Sequence, residues 1–217
     1  MLLHPGRASA QDDPDGQAWV QFLALGALGD RWRTHVEVQP RFMEDASELG
    51  LTIVRGAVGR VVGPRTTIWG GYAWVPRTLG TGIRHEQRTW QQVQIAPAAT
   101  AAGWTASLRF RLEQRWLTPW DGASHRLRLL GRGQRPIDKS RRWSLYAYDE
   151  VMLTMDDTQQ GPSRGFDRNR LSSGLSRRFS PALSTDVGYL WEHAVAADGG
   201  RRDDHVLVAV ITLSAPR

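Results

Sequence analysis

The sequence predicts an all-β fold, a single up-and-down antiparallel transmembrane barrel of ten to twelve strands, and three observations predict it. The first is the segment 103–117, GWTASLRFRLEQRWL, which sets Trp104, Ala106, Leu108, Phe110, Leu112, Gln114 and Trp116 on even positions. Thr105, Ser107, Arg109, Arg111, Glu113 and Arg115 occupy the odd ones. A period of two gives a strand with one oily face and one charged face. The second is length. From Trp104 to Trp116 a strand covers roughly 40 Å at about 3.3 Å per residue, against the five or six residues usual in globular sheets. Tilted, it crosses about 30 Å of hydrocarbon, with a tryptophan near each interface. The third is recurrence: similar segments follow one another along the chain, and no sustained apolar stripe of helical period competes with them.

In order, residues 18–25 are apolar on both faces apart from Gln21, and 26–30 form a Gly-containing turn. Residues 31–42 alternate almost perfectly, with Trp32, Thr34, Val36, Val38, Pro40 and Phe42 on one side. Pro40 lacks a ladder donor, which suits a strand end or a bulge. Residues 49–62 and 65–75 flank a turn at Gly63-Pro64, and their glycines permit the curvature a barrel needs. Further strands are expected at 83–95, 103–117, 123–131, 142–155, 165–179, 182–194 and 203–214. The last is apolar on both faces, a departure that counts against the membrane reading and is expected to mean a plugged seam or a cropped sequence. That makes eleven candidates; because outer-membrane barrels normally have an even number of strands, ten or twelve are expected.

The chain has 217 residues and no polar linker, so residues 11–217 read as one domain. Residues 1–10, ending Ala8-Ser9-Ala10, read as the remnant of a signal peptide. With no cysteine, disulfides, thiolate metal sites and thiol nucleophiles are excluded. Net charge is +6, and Lys139 is the single lysine among 28 basic residues. Arginine suits buried pairing with carboxylates, although GC-rich codon usage also enriches it. Nucleic-acid binding is not expected, since the arginines alternate with apolar residues instead of forming a compact patch.

If oily faces meet lipid, charged faces meet in a lumen, where buried charges need partners. The expected lumen network is Arg33, Glu37, Glu86, Arg88, Trp90, Gln92, Arg109, Arg111, Glu113, Tyr148, Glu150, Arg168 and Arg170. Arg126, Arg128 and Tyr146 share the inward parity of their strands. Trp32, Trp104 and Trp116 are expected in the membrane girdle. The segment HEQRTWQQ, residues 85–92, departs from the pattern, because His85, Gln87, Thr89 and Gln91 are polar where lipid is expected. It is a binding strip, or else a rim or packing device. The segment 131–142, GRGQRPIDKSRR, reads as a loop whose Arg132, Arg135, Arg141 and Arg142 pair with lipopolysaccharide phosphates, or as a merely solvated loop.

No nucleophile elbow, zinc-protease or phosphate-loop pattern occurs. Ser124 and His125 are neighbours on a strand and point to opposite faces, so they do not form a nucleophile and base. Glu86 and Glu150 read as charge partners sooner than as an acid and base. No enzyme activity, cofactor or metal is expected.

The motifs Glu86-Gln-Arg-Thr-Trp-Gln-Gln92, Arg109-Phe-Arg-Leu-Glu113, Tyr148-Asp-Glu150, Asn169-Arg170 with Gly174-Leu175, and Gly188-Tyr189 occur in that order. In this the chain resembles the bacterial domain of unknown function 2490. The resemblance covers nearly the whole chain after the leader and implies an outer-membrane barrel with no assigned activity. Gln87 stands where the family often has histidine. The expected function is a narrow, anion-preferring pore or a structural envelope component in the outer membrane. The competing readings are a soluble or periplasmic lipocalin-like barrel, oily inside and charged outside, and a barrel enzyme acting on lipid or envelope polymer.

Overall fold

Leu108 and Phe110 stand 43% and 44% exposed on one face of their strand, while Arg111 and Glu113 on the other are 2% and 1% exposed. The charged face is therefore the enclosed one, the reverse of a lipocalin-like calyx. The same sorting recurs along much of the barrel in the computed structural model, which describes residues 14–79, 82–96, 103–158, 163–196 and 199–215. The expected leader, residues 1–10, lies outside the described residues.

The strands are β1 (Asp15–Leu28), β2 (Trp32–Met43), β3 (Glu48–Val61), β4 (Thr66–Leu79), β5 (Gly82–Ile95), β6 (Thr105–Leu117), β7 (Ser124–Pro136), β8 (Trp143–Thr154), β9 (Gly165–Arg178), β10 (Leu183–Val195) and β11 (Arg201–Ser214). Each is twelve to fourteen residues long. They close into a single barrel in sequence order, with β1 beside β11.

The eleven segments are thus eleven strands, within the expected ten to twelve, and only the preference for an even count is corrected. An even number is required only when every neighbour is antiparallel. Here β1 pairs with β11 in parallel, from Asp15 opposite Asp204 to Leu25 opposite Ser214, while all other pairs are antiparallel. The two seam strands are those whose sequences are apolar on both faces. Inside the barrel they contribute Trp19, Val206 and Val208, which pack with Leu190 of β10.

Both seam strands start at one rim, called here the first rim, which also carries the β2–β3 turn. The second rim carries the β1–β2, β3–β4, β7–β8 and β9–β10 turns. The bulge expected near Pro40 appears as a register shift between Arg41 and Phe42 against β3.

Close packing across strands relies on glycine at particular inward positions. Gly59 lies opposite Trp69 and Gly71 opposite Trp90, and each indole lies where a Cβ would otherwise stand. Gly174 and Gly188, both motif residues, oppose each other on β9 and β10. A Cβ at Gly188 would run into the Ser173 carbonyl and the Tyr146 hydroxyl. The substitution Gly188→Ala is expected to destabilise the barrel by about 1–3 kcal/mol through overpacking. Urea unfolding of the refolded protein in detergent checks this, with Gly56→Ala, at a position open on the outer face, as the neutral comparison.

Candidate functional site: the lumen

Alternation delivers arginines and carboxylates from every second position into the lumen, and between β6 and β10 they form a closed cycle of ion pairs. Glu113 meets Arg126 at 2.7 Å, and Arg126 meets Asp167 at 3.2 Å. Asp167 meets Arg168 at 3.0 Å, which meets Glu192 at 3.0 Å. Glu192 pairs with Arg170, which stands 3.6 Å from Glu150. Glu150 meets Arg128 at 2.8 Å, and Arg128 returns to Glu113 at 2.8 Å. Four guanidiniums each bridge two carboxylates, so the ring is neutral and each desolvated charge has partners on both sides. Arg109 adds a 2.6 Å contact to Glu150. Glu86, fully buried, sits beside the ring with Arg88 at 2.9 Å, Arg115 at 2.5 Å and Arg77 at 3.8 Å.

Where the ring and its neighbours crowd the first-rim half, the space left is about 60 Å³. Toward the second rim the lumen widens into a vestibule of about 650 Å³. Trp19, Arg41, Arg128 and Arg170 line both spaces and mark the constriction between them. There the Arg41 guanidinium lies 3.6 Å from the Trp19 ring centroid and that of Arg170 lies 4.9 Å from it, a cation–π pair of contacts that narrows the passage. Eight arginines line the vestibule against three carboxylates, Glu37, Glu150 and Asp186.

The expected lumen residues all face inward, and the strand register decides which of them meet. Arg33 does not pair with Glu37; it donates to the carbonyls of Gly29 and Trp32 at the second rim. Glu37 is taken by Arg55 at 2.9 Å and His35 at 3.1 Å. Arg111 donates to Gln92 Oε1 and lies 4.2 Å over the Trp90 ring. Tyr148 stacks on Tyr146, and Arg88 grips Glu86 through two nitrogens.

Ring members absent from the expected set are Asp167 and Glu192. Glu192 shares the parity of Gly188 and Leu190 and could have been read from it. Asp167 could not, because the register shift between Met152 and Leu153 against β9 turns it inward out of phase. Arg41, Arg55 and Arg115 also line the lumen, each with the inward parity of its strand.

Trp32 and Trp116 are exposed on the outer face, at the second and first rims. Trp104 immediately precedes β6 and covers Gly133 on the outer face. The first rim adds stacked outward rings, Trp74 on His85, Trp191 on His193, and Tyr189 on His205.

The segment 131–142 is not all loop. β7 continues to Pro136, since Gly131 and Gly133 interrupt neither alternation nor pairing. Arg132 therefore points into the lumen, 2.8 Å from Asp186 and 4.4 Å from the Tyr146 ring, and is not available to lipid phosphates. In the true turn, hydrogen bonds from the Ser140 hydroxyl and the Trp143 and Arg142 amides hold the Asp138 carboxyl below its ordinary pKa.

The polar outward strip of β5 is satisfied sideways. Thr89 donates to Gln114 of β6 at 2.8 Å, and Gln91 and Gln114 exchange amide hydrogen bonds at 3.2 and 3.1 Å. Tyr72 donates to Gln87. A second outward pair, Asn169 donating to Asp149, comes from two of the motifs. These contacts spare the outer face unpaired polar groups.

Ser124 is buried inside, while His125 faces Asp156 outside the lumen, so the two do not meet.

Comparison with known proteins agrees with the motifs. A curated relative, an uncharacterized protein of Methylorubrum extorquens, is 33% identical over 211 residues, covering 95% of this chain and 91% of that protein. Among solved structures, the NanC porin is similar over 83% of this chain and 87% of its own, with a TM-score of 0.49 and 10% sequence identity. The family described as Protein of unknown function (DUF2490) matches residues 16–202, so the chain belongs to that family.

Proposed function

We propose that this protein is an outer-membrane barrel of a Gram-negative-type bacterium whose lumen is a narrow, anion-preferring passage. The observation that carries the reading is the inside-out sorting of side chains: a band of Phe22, Val36, Val54, Val58, Phe110, Val187 and Leu207 outside, and arginine with carboxylate inside. Such an exterior suits acyl chains and is poorly suited to water. The excess of arginine over carboxylate around the vestibule supplies the preference, since a ring of cationic side chains draws in anions and repels cations. The reading assigns no reaction to the barrel. At the second rim, Arg135, Arg141 and Arg142 pair with lipopolysaccharide phosphates.

Reconstitution in planar bilayers tests the passage. A small conductance is expected, with a reversal potential under a salt gradient of the sign that anion flow demands. Absence of current above bare lipid would remove the passage and leave a structural envelope component, whereas cation selectivity would refute the charge argument.

A further inference from the structure

We infer that the second-rim vestibule is a binding site for an organic carboxylate with a compact apolar body. The inference deepens the lumen reading and rests on it. In the first-rim half the charges close upon themselves in the ring; in the vestibule they do not. Its three carboxylates are each claimed, Glu37 by Arg55, Glu150 by Arg109, Arg128 and Arg170, and Asp186 by Arg132. Arg33, Arg41 and Arg111 also face the cavity, and their hydrogen bonds go to neutral acceptors, the Gly29 and Trp32 carbonyls, Gln39 and Gln92.

Arg111 is the most telling of these. It is 2% exposed, and its Nη1 has no hydrogen-bond partner. The nearest carboxylate oxygen, on Glu113, is 3.7 Å away and already bound by Arg128. Arg109 Nε, on the same strand, is unpaired as well. A buried guanidinium N–H without an acceptor is costly, and a carboxylate is the acceptor that fits its planar fork.

The cavity's other wall differs in kind. Leu23 and Leu25 of β1 and Val208 and Val210 of β11 line it, four aliphatic side chains grouped on the two adjacent seam strands. Around the closed barrel, β6 lies five strands from β1 in one direction and five from β11 in the other. The arginine wall and the apolar wall are therefore diametrically opposed. A ligand bridging them presents an anionic end to Arg109 and Arg111 and an oily end to the seam. The volume of about 650 Å³ falls within the range of small-molecule sites.

Titration of the refolded barrel in zwitterionic detergent, followed by tryptophan fluorescence, tests the assignment with benzoate, benzyl alcohol and inorganic phosphate as probes. Saturable benzoate binding is expected, with at least tenfold weaker binding of benzyl alcohol, which lacks the charge, and of phosphate, which lacks the apolar body. Arg111→Gln and, on the opposite wall, Leu25→Asn are each expected to weaken benzoate at least tenfold. Either variant alone suffices if the other does not fold. Phosphate binding as tight as benzoate, folded variants that bind benzoate like the parent, or no saturable binding would overturn the site. Binding without conductance would retire the passage and keep the site; conductance without saturable binding would do the opposite.

Discussion

Glu113→Gln is expected to destabilise the folded barrel by about 3–5 kcal/mol, the range for removing one partner from a buried ion pair and stranding the other. Glu113 is a carboxylate the ring uses twice over, with Arg126 and Arg128 hydrogen-bonded to it at 2.7 and 2.8 Å and Arg111 nearby at 3.7 Å. Glutamine keeps the volume and one acceptor oxygen but removes the charge, so three guanidiniums are left facing one another across a desolvated node. Replacing Arg128 as well relieves that repulsion, and the double variant is expected to be more stable than the sum of the two single losses implies. Urea unfolding in detergent, read by the chain's tryptophans, measures all four corners of the cycle. If Glu113→Gln unfolded like the parent, the ring would be hydrated and its closed geometry energetically idle.

The division between what the sequence made legible and what it hid follows from how each feature arises. Parity is a local property, so the inward placement of Arg109, Arg111, Glu113, Glu150 and Arg170 could be read directly, as could the outward placement of Leu108 and Phe110. Pairing is not local. The partner of Glu37 is Arg55 because β2 and β3 set those residues opposite each other, not because of any spacing along the chain. Asp167 was hidden for a different reason: it is the extra residue at a register shift, so that it and the next residue, Arg168, both turn inward. Arg132 was misplaced because glycine and proline resemble a turn, although in a long strand with partners on both sides they leave the pairing intact. Strand number was visible as eleven segments, but the parallel closure that allows an odd count involves residues about two hundred positions apart. Only the double-sided apolarity of the first and last segments pointed to it.

Phe110→Arg tests the sorting on which both the passage and the vestibule depend. Phe110 lies midway along β6 on the outer face, opposite Val93 of β5 and Leu129 of β7, with no polar side chain on either directly paired position. In a membrane, arginine on the lipid face near the midplane destabilises a barrel by about 2–4 kcal/mol, declining toward the interfaces. That loss is expected in the folding equilibrium measured with lipid vesicles, while Phe110→Leu should fold like the parent. The same change in water would be nearly neutral, because an exposed arginine is well solvated there. Gln114, four residues on and on the same face, provides the internal contrast. Its amide is already engaged by Thr89 and Gln91, so polarity on this face is tolerated where neighbours satisfy it. Phe110→Arg has no such neighbours, and a variant that folded into vesicles as readily as the parent would mean that this face does not meet acyl chains.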